Sequence, residues 1–219
     1  MDEFPDDTIQ AALTRHSVSL AADQAIELDR YARLLWEWNE RLNLTRHTDY
    51  EKFVTRDIVD SLALAEHLPR GERVLDVGTG GGVPGVILAI VRPDLKLVAC
   101  ESTAKKYRAV ADMIEKLGLP LPVYHARAED LLETMTFDAL IARAVAPLPK
   151  LLTWLTPYWD AFDRLLIIKG PAWLSERKDA RERSLLKNLD LRRLSRYQTP
   201  GSGAENVILR LERKSPGEV

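Results

Sequence analysis

An α/β fold, built on a mostly parallel seven-stranded sheet and preceded by an all-helical segment, follows from three features of this 219-residue chain. From about residue 72, short apolar runs alternate with helix-like segments, as parallel strands require because each crossover needs a long, usually helical connection. Before that point apolar residues recur at helical spacing and nothing reads as a strand. Between Val74 and Gly85 an apolar run passes directly into a glycine-rich loop and then a new helix, the unit on which open α/β sheets bind ligands.

Residues 8 to about 67 are expected to be helical, with Ile26, Leu28, Tyr31, Leu34, Leu35 and Trp38 as the apolar stripe and Asp29, Arg30, Arg33 and Glu37 between them. Trp36 and Trp38 cannot share one helix face, and Trp38 is assigned to the core. Strands are expected at 73–77, 95–100, 122–125, 137–142 and 164–168, and helices at 84–92, 104–117, 128–133, 147–159 and 173–189. Two further strands, 191–197 and 206–211, flank Thr199-Pro200-Gly201-Ser202-Gly203, a strong turn signal that makes them a hairpin closing one edge. The division expected is a helical cap over 1–70 and a ligand-binding core over 71–219.

The composition, 46% hydrophobic and 29% charged, is that of an ordinary globular chain long enough to bury a proper core. A net charge of −2 does not advertise nucleic-acid binding, so any RNA contact must come from local charge segregation. No apolar run approaches the roughly 20 residues that span a bilayer. The acidic start, Met1 to Asp7, is the reverse of a targeting signal. Cys100 is the single cysteine, which excludes an internal disulfide and a cysteine-based metal cluster and makes a cytoplasmic location the expectation. His16, His47, His67 and His125 show no metal-ligand spacing and are read as structural or surface residues, so no metal is expected.

The loop Asp76-Val77-Gly78-Thr79-Gly80-Gly81-Gly82 carries the chemistry. Glycines let the backbone turn sharply and approach a ligand, and the helix that Val83-Pro84-Gly85 opens offers free N–H groups to an anion. Gly80 to Gly85 matches G-x-G-x-x-G, by itself a weak signal. Asp76 helps to choose the ligand, because its charge would repel a pyrophosphate but suits the sulfonium and ammonium of S-adenosylmethionine. Two readings are open at Asp76: a cofactor-facing acid, or a brace hydrogen-bonded to its own loop. Glu101 ends the second strand about 20 residues on, where a ribose-binding acid belongs. Ala128 and Glu129 follow the third strand, where a backbone N–H and a carboxylate can read adenine. Glu129 can equally complement a helix dipole.

Several separated motifs, taken in order, carry a family resemblance. They are Trp38-Asn39-Glu40-Arg41-Leu42-Asn43-Leu44-Thr45, Arg56-Asp57-Ile58-Val59-Asp60-Ser61-Leu62, the loop from Asp76 to Gly85, and Val91-Arg92-Pro93. Arg127-Ala128-Glu129, Ile141-Ala142-Arg143-Ala144 and Ile168-Lys169-Gly170 complete the set. Along nearly its whole length the chain resembles the bacterial small-subunit rRNA guanine-N7 methyltransferases known as RsmG or GidB. The resemblance implies a class I, Rossmann-like methyltransferase fold and methylation of guanine N7 at nucleotide 527 of 16S rRNA, with free rRNA or the 30S particle as partner. It also implies cofactor contacts at Gly78, Val83, Ala128, Glu129 and Arg143, besides Asp76, Gly80 and Glu101 from the loop chemistry. The family commonly has histidine where Asp57 stands here, so no role of that histidine carries over.

Guanine N7 is already a hydrogen-bond acceptor, so no catalytic base is required, only alignment with the methyl donor. Asp60 and Asp76 are candidates, by residue type, to hold the sulfonium charge. Asn39, Asn43, Arg56 and Lys169 are the substrate-side candidates, with helix or turn capping the competing reading for the two asparagines. Phosphate contacts are expected from the basic stretch 164–196, with Arg164, Lys169, Arg177, Lys178, Arg181, Arg183, Lys187, Arg192, Arg193 and Arg196, a solvated face being the other reading. Alternatives are a class I methyltransferase acting on another RNA or a small molecule, a nicotinamide-dependent oxidoreductase, and a non-catalytic nucleotide-binding module. A monomer is expected.

Overall fold

The computed structural model describes residues 7–201 and 203–214. Its strands are β1 (Arg73–Val77), β2 (Lys96–Cys100), β3 (Val123–Tyr124), β4 (Phe137–Arg143), β5 (Phe162–Lys169), β6 (Leu189–Gln198) and β7 (Glu205–Arg213). They form one sheet in the order β3-β2-β1-β4-β5-β7-β6. The first five are parallel, and β7 runs antiparallel to both β5 and β6. All seven expected strands are present, and the last two make the expected edge hairpin. The chain leaves β1 towards β2 on one side and takes up β4 on the other, so the strand order reverses between β1 and β4. That opens a crevice at their carboxyl ends.

The helices are α1 (Ile9–Arg15), α2 (Ala22–Asn39), α3 (Tyr50–Lys52), α4 (Val59–Ala65), α5 (Gly85–Val91), α6 (Ala104–Leu117), α7 (Ala128–Leu132), α8 (Leu148–Leu155) and α9 (Trp173–Glu182), with a π-helical stretch, Phe53–Ile58, joining α3 to α4. The helix expected over 173–189 stops at Glu182, where Ser184 turns the chain with φ of 58° and β6 begins at Leu189.

Strand alternation builds two apolar layers. Val74, Leu97, Ala99, Ala139, Ile141, Leu166 and Ile208 face one way, into a layer shared with α1, α2, α4, α5 and α6. Leu75, Val77, Val98, Leu140, Leu165, Ile167 and Leu211 face the other way, onto α7, α8 and α9. The N-terminal helices therefore bury themselves in the same layer as α5 and α6. On α2 the buried stripe is Ala25, Leu28, Tyr31, Ala32 and Leu35. Ile26 lies about 200° around the helix from Leu28 and is 61% exposed, which corrects its assignment to the stripe. Trp36 packs edge-on against Tyr50 and Phe53, with centroids 4.8 and 6.4 Å away. Trp38 is half-buried and donates its Nε1–H to Asp112 at 2.7 Å. The core role expected of Trp38 alone is thus shared between both indoles.

Candidate cofactor and substrate site

A cavity of about 1270 Å³ opens at the carboxyl ends of β1, β2 and β4, under the loop that joins α2 to α3. Its floor is the glycine loop. Gly78 and Gly80 adopt φ of 66° and 60°, the left-handed region that glycine enters without strain. A Cβ on Gly81 would lie 2.9 Å from the Leu35 side chain, and the Tyr31 hydroxyl donates to the Gly81 carbonyl at 2.8 Å. The N-terminal segment thereby fixes the loop's height above the sheet.

Alternation along β1 puts the Asp76 side chain on the same face as Val74, towards α5. It is buried beneath the loop, and its Oδ2 accepts the Gly85 N–H at 2.9 Å. A Cβ on Gly85 would stand 2.5 Å from that oxygen, so only glycine fits there. Burial pushes the Asp76 carboxyl up to about 6 against the opposing pull of Thr79 and the Gly85 N–H. Asp76, which does not line the cavity, therefore braces the loop and the start of α5, the second of the two readings its sequence position offered. With that carboxylate already capping α5, the start of the helix suits a phosphate poorly. The G-x-G-x-x-G match thus loses the mechanism by which it would bind a dinucleotide.

Glu101, at the end of β2, lines the cavity while 6% exposed. Its Oε2 accepts from Gly80 N–H at 3.1 Å and its Oε1 from Thr103 N–H at 2.7 Å, which holds the carboxylate rigid with lone pairs to spare for two hydroxyls. Val83, Ala128 and Glu129 also line the cavity. Ala128 is the first residue of α7, where N–H groups lack an intrahelical acceptor. The Glu129 carboxylate takes a 2.7 Å ion pair from Arg127, so part of its acceptor capacity is already used.

Arg143, at the end of β4, is the charged centre of the cavity's inner wall. Its Nε donates to Asp60 Oδ2 at 2.8 Å and its Nη2 to Asp57 Oδ1 at 2.7 Å. Asp57 also bonds His47 Nε2 at 3.1 Å, and Asp60 accepts from the Tyr197 hydroxyl at 2.7 Å and from Asn206 Nδ2 at 3.1 Å. Burial pushes Asp57 up, yet the His47 bond and the Arg143 charge outweigh it and hold the carboxyl below the usual range. Burial likewise opposes the Arg143 charge, and the two carboxylates overcome it and raise its pKa. Asp60, committed to three partners, is no free counter-charge for a sulfonium, which corrects that candidate. The next residue, Ala144, takes φ of 55°, a left-handed conformation rare for alanine, and turns the chain along the cavity wall.

The substrate-side candidates divide. Asn43, Arg56 and Lys169 line the cavity. Lys169 donates to the Ala146 carbonyl at 2.7 Å and pairs with Glu176 at 2.7 Å. Asn39 does not line it: its Oδ1 accepts from the Leu44 and Thr45 N–H groups at 2.8 and 2.9 Å, the capping role, and is corrected as a pocket residue. His47, Asp57 and Asn206 are site residues that sequence reasoning missed. No short-range signal marks them, because the bonds that join them to the Arg143 network span 10 to 146 residues. The basic stretch is partly paired, while Arg177, Arg181, Lys187 and Arg193 form no ion pair among the described residues. Arg164 is half-buried on Glu72, Lys178 pairs with Glu182, Arg183 with Asp179, Arg192 with Asp190 and Arg196 with Glu205. No group of acidic, histidine and cysteine side chains suited to a metal occurs among the described residues. None of their helices is long and apolar enough to cross a membrane.

Comparison with known proteins gives the family and the fold. Residues 24–201 match the family model described as rRNA small subunit methyltransferase G. A Ribosomal RNA small subunit methyltransferase G from Rhodopirellula baltica is 44% identical, over 96% of this chain and 91% of that one. Its namesake from Desulfitobacterium hafniense is 32% identical, over 92% and 86%. Among solved structures, the precorrin-6y C5,15-methyltransferase of Geobacter metallireducens superposes with a TM-score of 0.54 over 75% of this chain and 91% of that one, at 14% identity, a likeness of fold alone.

Proposed function

The chain belongs to the rRNA small subunit methyltransferase G family, and from that premise we propose that it transfers the methyl group of S-adenosylmethionine to guanine N7 at nucleotide 527 of 16S rRNA. The observation that carries the cofactor reading is the rigid, cavity-facing Glu101 carboxylate beside a glycine floor in which Asp76 already caps α5. That donor and acceptor set fits a nucleoside with hydroxyls and no phosphate. Gly78, Gly80 and Val83 would hold its amino-acid end, Glu101 its ribose, and Ala128 and Glu129 its base. When bound, the cofactor supplies an activated methyl group on a sulfonium.

The protein's own part is placement. The N7 lone pair needs no proton removed, so a general base is unnecessary, and holding two reactants in line is worth about 7–11 kcal/mol. Arg143 is clamped by Asp57 and Asp60 from one helical run, which joins the N-terminal segment to the end of β4 and fixes the wall between the glycine floor and the cavity mouth. Asn43 and Lys169 line that cavity and would contact the base that enters it. A base in a folded RNA must leave its stack to reach such depth. The protein is assigned to the cytoplasm as a monomer acting on 16S rRNA, free or in the 30S particle. Mapping 7-methylguanosine in 16S rRNA from cells with and without this chain tests the proposal. The modification at nucleotide 527 should vanish with the gene and return with it, and an unchanged map would refute the assignment.

A further inference from the structure

We propose that Arg46 and Arg56 form a phosphate-binding pair at the cavity mouth that grips the RNA backbone beside the target base. The proposal rests on the rRNA reading above. It starts from a census of the cations that line the cavity. Arg127, Arg143 and Lys169 each hold a carboxylate, and His47 is bonded to Asp57. Arg46 and Arg56 are exposed, line the same cavity and have no carboxylate in ion-pair reach among the described residues. One other lining cation, Lys106 on α6, is likewise unpaired, but it stands on the Glu101 side of the cavity.

The two arginines are presented by one device. Each immediately precedes a member of the His47–Asp57 pair, a 3.1 Å contact between side chains only 8% and 4% exposed. That buried contact ties the loop after α2 to the π-helical stretch, and Arg143 anchors Asp57 from the far side. With residues 47 and 57 turned inward, residues 46 and 56 turn outward at the same rim. A π-helical turn is a local departure from α-helix often found at functional sites. Guanidinium groups match phosphate oxygens bidentately, and no acid among the described residues pairs with these two. Of the basic residues in 164–196, by contrast, only Lys169 lines the cavity, and it is already matched by Glu176. Free positive charge therefore meets cavity depth at the mouth, where the phosphates flanking an extruded base must lie.

The test uses the full chain with protein-free 16S rRNA and with 30S subunits from cells lacking the modification, measuring affinity over a potassium chloride series. Each lost single-strand phosphate contact flattens the salt dependence by about 0.7, so R46Q/R56Q should flatten it by about 1.4 and weaken binding roughly ten-fold near physiological salt. Its affinity for S-adenosylhomocysteine should stay at the wild-type value, and R46K/R56K should keep most of the salt dependence. His47→Leu should weaken RNA binding with both arginines present. A double glutamine variant with wild-type affinity and slope overturns the proposal, as does loss of S-adenosylhomocysteine binding in that variant or equal losses in the lysine variant. Wild-type RNA affinity in His47→Leu removes the His47–Asp57 device from it. Failure of the wild-type protein to bind either RNA would instead strike the rRNA reading itself.

Discussion

Replacing Arg143 by glutamine should be among the most destabilising single changes in this protein. The substitution keeps a polar side chain of similar reach but deletes the charge between Asp57 and Asp60, which are 3% and 4% exposed. Hydrogen bonds of 2.7 and 2.8 Å disappear with it, and two buried carboxylates are left to share His47, Tyr197 and Asn206. Removing one partner of a buried ion pair costs about 3–5 kcal/mol, a large part of the 5–15 kcal/mol typical of a whole domain. For a chain of this size that is a fall in Tm of roughly 6–20 °C. Urea unfolding at pH 7.5 reads the loss directly. In the wild-type protein Asp57 is held below its usual range, so its contribution is present above that range and is lost only as acid drives the pH down through the folded value. Without Arg143 the buried Asp57 carboxyl takes up a proton more readily, and the gap between variant and wild type should narrow from pH 7.5 towards pH 5. Adding Asp57→Asn to Arg143→Gln should recover about 1–3 kcal/mol, the signature of direct coupling. A loss below 1 kcal/mol that does not change with pH would refute this account of the network.

Three further perturbations probe the cofactor floor. Gly85→Ala, whose Cβ would sit 2.5 Å from Asp76 Oδ2, should cost about 1–3 kcal/mol and sharply weaken S-adenosylhomocysteine binding, and wild-type calorimetry would contradict the tight fit. Asp76 is raised from 3.8 to about 6 in the folded protein, so its penalty is absent below pH 3, grows as pH rises past 3.8 and is complete above pH 6, about 3 kcal/mol in size. Asp76→Asn should therefore gain on the wild type in urea unfolding as pH rises through that window, whereas parallel stability curves would place the titration elsewhere. Glu101→Ala removes the acceptor for Gly80 and Thr103 N–H groups and should weaken S-adenosylhomocysteine about 10- to 100-fold, with Glu101→Gln intermediate; equal affinities in all three proteins would remove Glu101 from the site.

The readable parts of this molecule are those with local causes. Apolar runs of strand length separated by helical segments marked all seven strands, and the glycine loop located the crevice, since its turn, its Pro84 and its Gly85 are neighbours in sequence. Position along the strands also placed Glu101, Ala128 and Arg143 on the cavity. What the sequence left open or misassigned depends on direction and distant pairing. Asp76 has the right type and place for a ligand contact, but the one-residue alternation of β1 turns it under the loop. Asn39 and Asn43 look alike in the sequence, and only the folded loop shows that the first is consumed by two backbone donors. The charge excess of 164–196 is real in composition and only partly cancelled in space, where Glu72 and Glu205 from outside the stretch take up Arg164 and Arg196. The His47–Asp57–Arg143–Asp60 network joins four positions whose meaning exists only once α4, the loop after α2 and β4 converge.

A crystal structure of the protein with S-adenosylhomocysteine tests the central claim most directly. Density for the ligand should run from Gly78 and Gly80 past the Glu101 carboxylate towards Ala128, with Asp76 still bonded to Gly85 beneath it. Ligand density away from the carboxyl ends of β1 and β2, or a cavity that stays empty at saturating ligand, would contradict the account.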